Sequence, residues 1–149
     1  MSKLLVAYGS LTGNTTDVAG WITETLKAEG HEAEMIDCAD LSSSDAMCEP
    51  YDLIVFGSPT YGEDPCEVQE DFEPVLDALE STGVKGKKVA VFGTGDSSYP
   101  YFCGAVDMIV ERVNECGGNL VVESLKIDDP HDDEEDAIRE WAKGVAAAA

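Results

Sequence analysis

Four short apolar runs, separated by segments of helical spacing, constrain this chain more than any other feature of its sequence. The runs are Leu4 to Tyr8, Leu53 to Phe56, Val89 to Phe92 and, less cleanly, Leu120 to Val122. Uninterrupted runs of this length suit strands buried on both faces. Between them lie Val18, Trp21, Ile22 and Leu26, then Phe102, Ala105, Val106, Ile109, Val110 and Val113, and last Ile138, Trp141, Ala142 and Val145. Each set forms one apolar stripe at i, i+3, i+4, i+7, as an amphipathic helix requires. Gly30 and Gly117-Gly118 read as helix stops, and Asp132 with Glu135 as a cap before the last helix. Glu32 to Asp37 alternates weakly and reads as a more peripheral strand. Val68 to Leu79 has helical spacing, but Pro74 lacks an N–H and should break or restart that helix. Cys38 to Pro50 reads as irregular, and Ala146 to Ala149 as a frayed end or a cloning remnant.

The resulting order is β-α-β-β-α-β-α-β-α, the pattern of a parallel sheet covered on both faces with ligands beyond the carboxyl ends of its strands. Function is therefore expected in the loops after Tyr8, Phe56 and Phe92. A chain of 149 residues with 44% apolar content suits a single domain, residues 1–149, with one core. Its 9 Lys plus Arg against 31 Asp plus Glu, a net charge of −22, opposes nucleic acid and anionic membranes. Five cysteines, odd in number and without a C-x-x-C pair, indicate neither a disulfide framework nor a zinc site. No metal site is expected. The run after Lys3 is too brief for a signal peptide, and no stretch approaches the ~20 apolar residues of a membrane span. The expected compartment is the cytoplasm.

The first loop, Gly9-Ser10-Leu11-Thr12-Gly13-Asn14-Thr15, opens directly into a helix and gathers backbone N–H groups and three hydroxyls at its N-terminus. Such a terminus attracts an anion. The loop holds no Lys or Arg, the nearest in sequence being Lys3 and Lys27, so a phosphate here would be held by neutral hydrogen bonds and the helix dipole. The Lys of a nucleoside-triphosphatase loop and the G-x-G-x-x-G of a dinucleotide loop are both missing, although Asp37 stands where a ribose-binding acid could. Taken alone, the loop is also compatible with an ordinary Ser/Thr-capped turn. The second loop is Ser58-Pro59-Thr60-Tyr61-Gly62-Glu63-Asp64, and the third runs from Thr94-Gly95-Asp96 through Tyr99 to Tyr101-Phe102-Cys103. Each places an aromatic residue in a strand-end loop. One such ring is commonly a lid over the core, but two flanking one cleft beside an anion loop point to a flat aromatic ligand.

Taken together the three loops resemble those of the short-chain flavodoxins. The phosphate-loop pattern T/S-x-T-G-x-T is met by Ser10, Thr12, Gly13 and Thr15. The similarity continues through Gln69-Glu70-Asp71-Phe72 and most fully from Gly95-Asp96-Ser97-Ser98-Tyr99 to Tyr101-Phe102-Cys103-Gly104-Ala105-Val106-Asp107. The resemblance implies a five-stranded parallel sheet of order 2-1-3-4-5 with helices on both faces. It also implies one FMN at the switch point between the first and third strands, a rule for which this family is itself a standard example. By the same resemblance Ser10, Leu11, Thr12, Asn14 and Thr15 bind the FMN phosphate, Leu11 through its backbone N–H, with Gly13 in the turn and Ser58 nearby. Tyr99 covers the outer face of the ring and Tyr61 the inner, where many relatives carry Trp. Backbone groups of Asp96, Tyr101 and Cys103 hold the pyrimidine edge, and Gly62 faces N5. Pro59, Thr60, Thr94, Gly95 and Phe102 complete the cofactor-binding loops.

No catalytic constellation is visible. His31 and His131 lie outside the three loops and read as surface residues, and neither Arg112 nor Arg139 completes a C-x₅-R phosphatase signature. The chemistry would then be that of the flavin, tuned by the protein. The expected activity is low-potential one-electron transport as a monomer between redox proteins with basic docking surfaces: reductases, cytochromes, hydrogenase-type or ferredoxin-dependent enzymes. Glu63, Asp64, Glu67, Glu70 and Asp71 would steer them. The alternative is an FMN-dependent quinone or nitro reductase of the same fold, for whose second substrate site no insertion is evident.

Overall fold

A computed structural model describes residues 3–9, 14–40, 47–59, 72–95, 104–128 and 135–149 of the chain. Strand β1 (Lys3–Tyr8) leads to helix α1 (Asn14–Ala28) and strand β2 (Glu32–Asp37), followed by a 3-10 turn at Cys38–Asp40. Strand β3 (Leu53–Pro59) precedes the short helix α2 (Glu73–Asp77), a 3-10 turn at Leu79–Ser81, strand β4 (Lys88–Gly95) and helix α3 (Gly104–Glu115). Two short strands, β5 (Asn119–Leu120) and β6 (Leu125–Asp128), come before helix α4 (Glu135–Ala148).

The strands form one parallel sheet in the order β2-β1-β3-β4-β5, with β6 also paired to β4. The expected order 2-1-3-4-5 therefore holds, with β5 and β6 sharing the fifth position. That position differs from the expectation of one strand at Leu120 to Val122. Val89 pairs with Leu120 and Phe92 with Leu125, so the fifth line carries two more residues than β4 over that span. The extra residues leave the ladder as a bulge would. Within the break, the indole N–H of Trp141 donates to the carbonyl of Glu123 at 2.7 Å.

The period-two alternation of the strands sorts the core into two layers. Leu5, Ala7, Ile54, Phe56, Val89 and Val91 face Val75 and Leu76 of α2 and Ala105, Val106, Ile109 and Val113 of α3. Leu4, Val6, Tyr8, Leu53, Val55, Ala90 and Phe92 face Val18, Ala19, Ile22 and Leu26 of α1 and Ile138, Ala142 and Val145 of α4. Among the described residues, the helical stripes read from the sequence thus lie on the buried faces, with Trp21, Val110 and Trp141 only partly covered; Phe102 lies outside the described residues. Burying one such Leu, Ile or Phe side chain contributes about 1.5–3 kcal/mol, so the two layers supply the main driving force. Pro74 lies in the first turn of α2, where its missing N–H has no intrahelical partner to lose. Arg112 of α3 caps the other end of α2, donating to the carbonyls of Leu76 and Asp77 at 3.0 Å each. Gly30 and Gly117 end α1 and α3 with φ of 94° and 83°, the left-handed region that favours glycine.

Two expectations are corrected. The segment from Ala146 is not frayed: α4 continues to Ala148, and Ala146 is buried. His31 is half-buried rather than on the surface, its Nε2 lying 3.0 Å from the carbonyl of Ala146. His131, Asp132, Cys66 and Cys103 lie outside the described residues, whereas Cys38, Cys48 and Cys116 are not joined in disulfides. Among the described residues no helix is long and apolar enough to cross a membrane.

At the amino edge of the sheet, buried Tyr51 donates a hydrogen bond to the carboxylate of Glu34. Burial first, then that hydrogen bond and the charge behind it, push the Tyr51 hydroxyl up to about 12. Between the ordinary tyrosine value of about 10 and 12, the folded chain therefore holds a proton that the unfolded chain has released. The resulting stability is complete below pH ~10 and is lost as the pH rises toward 12. Chemical unfolding of Tyr51→Phe beside wild type should show a shallower alkaline loss, by about 2 kcal/mol or somewhat more across that window. Parallel alkaline curves would exclude this origin. A second expectation concerns Gly57, where an added Cβ would fall 2.1 Å from Cζ of Phe92. Gly57→Ala should lower unfolding stability by about 2 kcal/mol or more, because the ring has to move out of a filled layer.

Candidate functional site

All strands run parallel, so the carboxyl ends of β1, β3 and β4 open onto one edge. From β1 the chain passes through α1 to β2, outward on one side. From β3 it passes through α2 to β4, outward on the other. The helices of these two connections cover opposite faces. Parallel α/β sheets bind ligands at such a reversal, which makes the ends of β1 and β3 the candidate site.

The backbone at that edge is closely fixed. Tyr8 is in register with Gly57, Gly57 with Phe92, Ser58 with Gly93 and Pro59 with Thr94. The N–H of Gly9 donates to the carbonyl of Gly57 at 3.0 Å, adding one more rung between the two strands just where the first loop begins. Helix α1 starts at Asn14, beyond that loop, and Thr15 in its first turn is 1% exposed. Ser58, at the end of β3, is fully buried. Two buried hydroxyl residues and the positive end of a 15-residue helix thus stand near this edge. No Lys or Arg occurs in β1 beyond Lys3, in β3, or in α1 before Lys27. Lys126, in register with Gly93 at the end of β4, is paired with Asp107 of α3 at 3.1 Å. The donor set on the β1–β3 side is therefore neutral, which fits a phosphate monoester held by hydrogen bonds and the helix terminus.

Tyr8 closes the floor on the α1 side. It is 4% exposed, and its hydroxyl is hydrogen-bonded to Thr16 of the first turn. Burial chiefly raises its pKa, the Thr16 bond opposes that, and the carboxylates of Asp37 and Asp40 add to the rise. On the α3 side, Gly93 lets the helix come close. A Cβ there would lie 2.4 Å from Cγ2 of Val106 and 2.9 Å from the carbonyl oxygen of Ser58.

Of the residues expected to form the site, Asn14 and Thr15 stand in the first turn of α1, Ser58 and Pro59 end β3, and Thr94 and Gly95 end β4. The structure brings these six to one edge. Ser10, Leu11, Thr12, Gly13, Thr60, Tyr61, Gly62, Asp96, Tyr99, Tyr101, Phe102 and Cys103 lie outside the described residues, as do Glu63, Asp64, Glu67, Glu70 and Asp71. Sequence reasoning missed Gly57 and Gly93. The signal was present, since a glycine directly follows the apolar run in both β3 and β4, but only the packed rings and helix show why.

The flavodoxin family model matches residues 6–141. A flavodoxin of Maridesulfovibrio salexigens is 45% identical over 146 residues, covering 98% of each chain. One of Nitratidesulfovibrio vulgaris is 42% identical over 148 residues, covering 99% of each. Among solved structures, oxidised flavodoxin 1 of Bacillus cereus superposes with a TM-score of 0.86 at 34% identity, covering 98% of both chains. The chain belongs to the flavodoxin family, whose members are electron carriers, not enzymes, and hold FMN without a covalent bond.

Proposed function

We propose that this flavodoxin holds its FMN at the carboxyl ends of β1 and β3, with the phosphate in the loop from Ser10 to Thr15. There it serves as a monomeric cytoplasmic shuttle between proteins that present basic docking surfaces. The observation that carries the placement is the neutral, buried pair of hydroxyls, Thr15 and Ser58, on either side of the β1–β3 reversal. Bound FMN supplies reversible one-electron chemistry; the chain binds it, orients it and sets its surroundings. Tyr61 and Tyr99 are assigned to its two faces, Gly62 to N5, and the backbone of Asp96, Tyr101 and Cys103 to its pyrimidine edge.

Partner choice is supported by charge. At −22 the chain attracts cationic surfaces over roughly a Debye length, about 8 Å at physiological salt, and repels its own copies. Reductases, cytochromes and hydrogenase-type or ferredoxin-dependent enzymes with basic patches are the partners this field favours. Three cysteines outside any disulfide among the described residues suit a reducing compartment.

The test is to purify the protein, identify its flavin, and reduce it stepwise while monitoring NAD(P)H oxidation. One FMN per chain and no turnover of NAD(P)H without a partner are expected; recovered FAD, or steady NAD(P)H oxidation, would reverse the reading. Thr15→Ala and Ser58→Ala should each weaken FMN by about tenfold or more, since a hydrogen bond to a charged group is worth ~1.5–3 kcal/mol. Dissociation constants from quenching of flavin fluorescence check this, and unchanged values in both variants would remove the phosphate from this edge. Electron transfer to a cationic partner should slow steeply as salt rises toward 0.5 M, measured by stopped flow; a flat salt profile would defeat the docking reading.

A further inference from the structure

One row of residues crosses the sheet at its carboxyl edge, on the α1 and α4 side: Tyr8 of β1, Gly57 of β3 and Phe92 of β4, in direct register. The ring of Phe92 occupies the space a side chain at Gly57 would take. A Cβ there would lie 2.1, 2.2 and 2.6 Å from its Cζ, Cε1 and Cε2. Phe92 is fully buried and is backed edge-on by Trp141 of α4, with ring centroids 6.5 Å apart and planes at 62°. Trp141 is tied in turn through its indole N–H to Glu123.

Both ends of the first loop rest on this row. Before the loop, the Gly9 N–H is bonded to the carbonyl of Gly57, the residue beneath the Phe92 ring. After it, Thr16 is bonded to the hydroxyl of Tyr8. A floor that moved by a few tenths of an ångström would move the Gly57 carbonyl and the first turn of α1 relative to each other. Hydrogen bonds to an oxyanion depend steeply on such distances and angles.

We propose that the buried row Tyr8, Gly57 and Phe92, backed by Trp141, is a positioning floor for the first loop, fixing both of its ends and so setting how tightly the phosphate of FMN is held. This rests on the assignment of Ser10 to Thr15 to that phosphate. None of these side chains is assigned a contact with the flavin; they act through Gly9 and through the first turn of α1.

The test compares FMN with riboflavin, which lacks the phosphate, on the full-length chain stripped of its flavin. Wild type, Tyr8→Phe and Phe92→Leu are measured beside Val84→Ala, a large-to-small change in the opposite core layer that lowers stability without touching the row. The ratio of riboflavin to FMN dissociation constants should fall about fivefold in Tyr8→Phe and about tenfold in Phe92→Leu, and stay within about twofold in Val84→Ala. Riboflavin affinity itself should barely change. If Phe92→Leu does not fold, Tyr8→Phe decides alone, since it removes one oxygen and keeps the ring. A ratio that moves no further in the row variants than in Val84→Ala overturns the positioning floor. A wild-type ratio near one overturns the phosphate assignment itself, which is a distinct failure.

Discussion

Strand β1 is hydrogen-bonded to β2 on one side and β3 on the other, and every side chain from Leu4 to Ala7 is sealed from solvent. A strand so enclosed can carry no polar chemistry along its length, because an unpaired polar group there would cost several kcal/mol. Its alternate side chains must instead fill two separate layers, one with α1 and α4 and one with α2 and α3. Polar function is thereby displaced to the end of the strand, where Tyr8 and Gly9 lead out of the sheet. The same holds for β3 and β4, so three loops are delivered to one edge as a consequence of burial.

The apolar runs were legible because enclosure on both faces leaves a continuous signature, and all of β1, β3 and β4 were found within a residue or two at their starts. Their carboxyl ends extend further than the runs, to Pro59 and Gly95, because glycine and serine there are chosen by neighbouring rings and helices and not by strand propensity. The fifth position is less legible for a related reason. Its apolar content is split between Leu120 and the pair Leu125 and Ile127, and the bulge between them is held by Trp141, distant in sequence. The burial of Ala146 and the half-burial of His31 depend on one another across the molecule, and no local pattern encodes that. Ser and Thr ahead of a helix suggest an anion site, whereas the identity of a ligand is suggested only by three loops considered together.

In the placement proposed for FMN, a phosphate held without Lys or Arg in a chain of charge −22 is a coherent arrangement. The long-range field of the protein repels the ligand, so retention must come from oriented dipoles at hydrogen-bond range, where geometry and not net charge sets the energy. The acidic exterior is then free to act on larger partners without competing with a cationic pocket. An electron carrier gains from that separation, since encounter with a partner responds to salt while cofactor retention largely does not.

Dependence on geometry also explains why two glycines sit where the core meets the site. Gly57 yields its side-chain volume to Phe92, and Gly93 yields its own to Val106. Each draws a neighbouring layer closer to the strand end than any other residue would permit. At the amino edge the same strands tolerate Leu53 and Val89, both fully buried in ordinary side-chain packing. At the carboxyl edge a ring and a helix side chain thus lie directly against bare backbone. A contact onto bare backbone transmits displacement directly to the carbonyls and N–H groups that begin each loop, without a flexible side chain to absorb it. With FMN placed as proposed, packing density at the carboxyl edge bears on ligand retention as well as on stability.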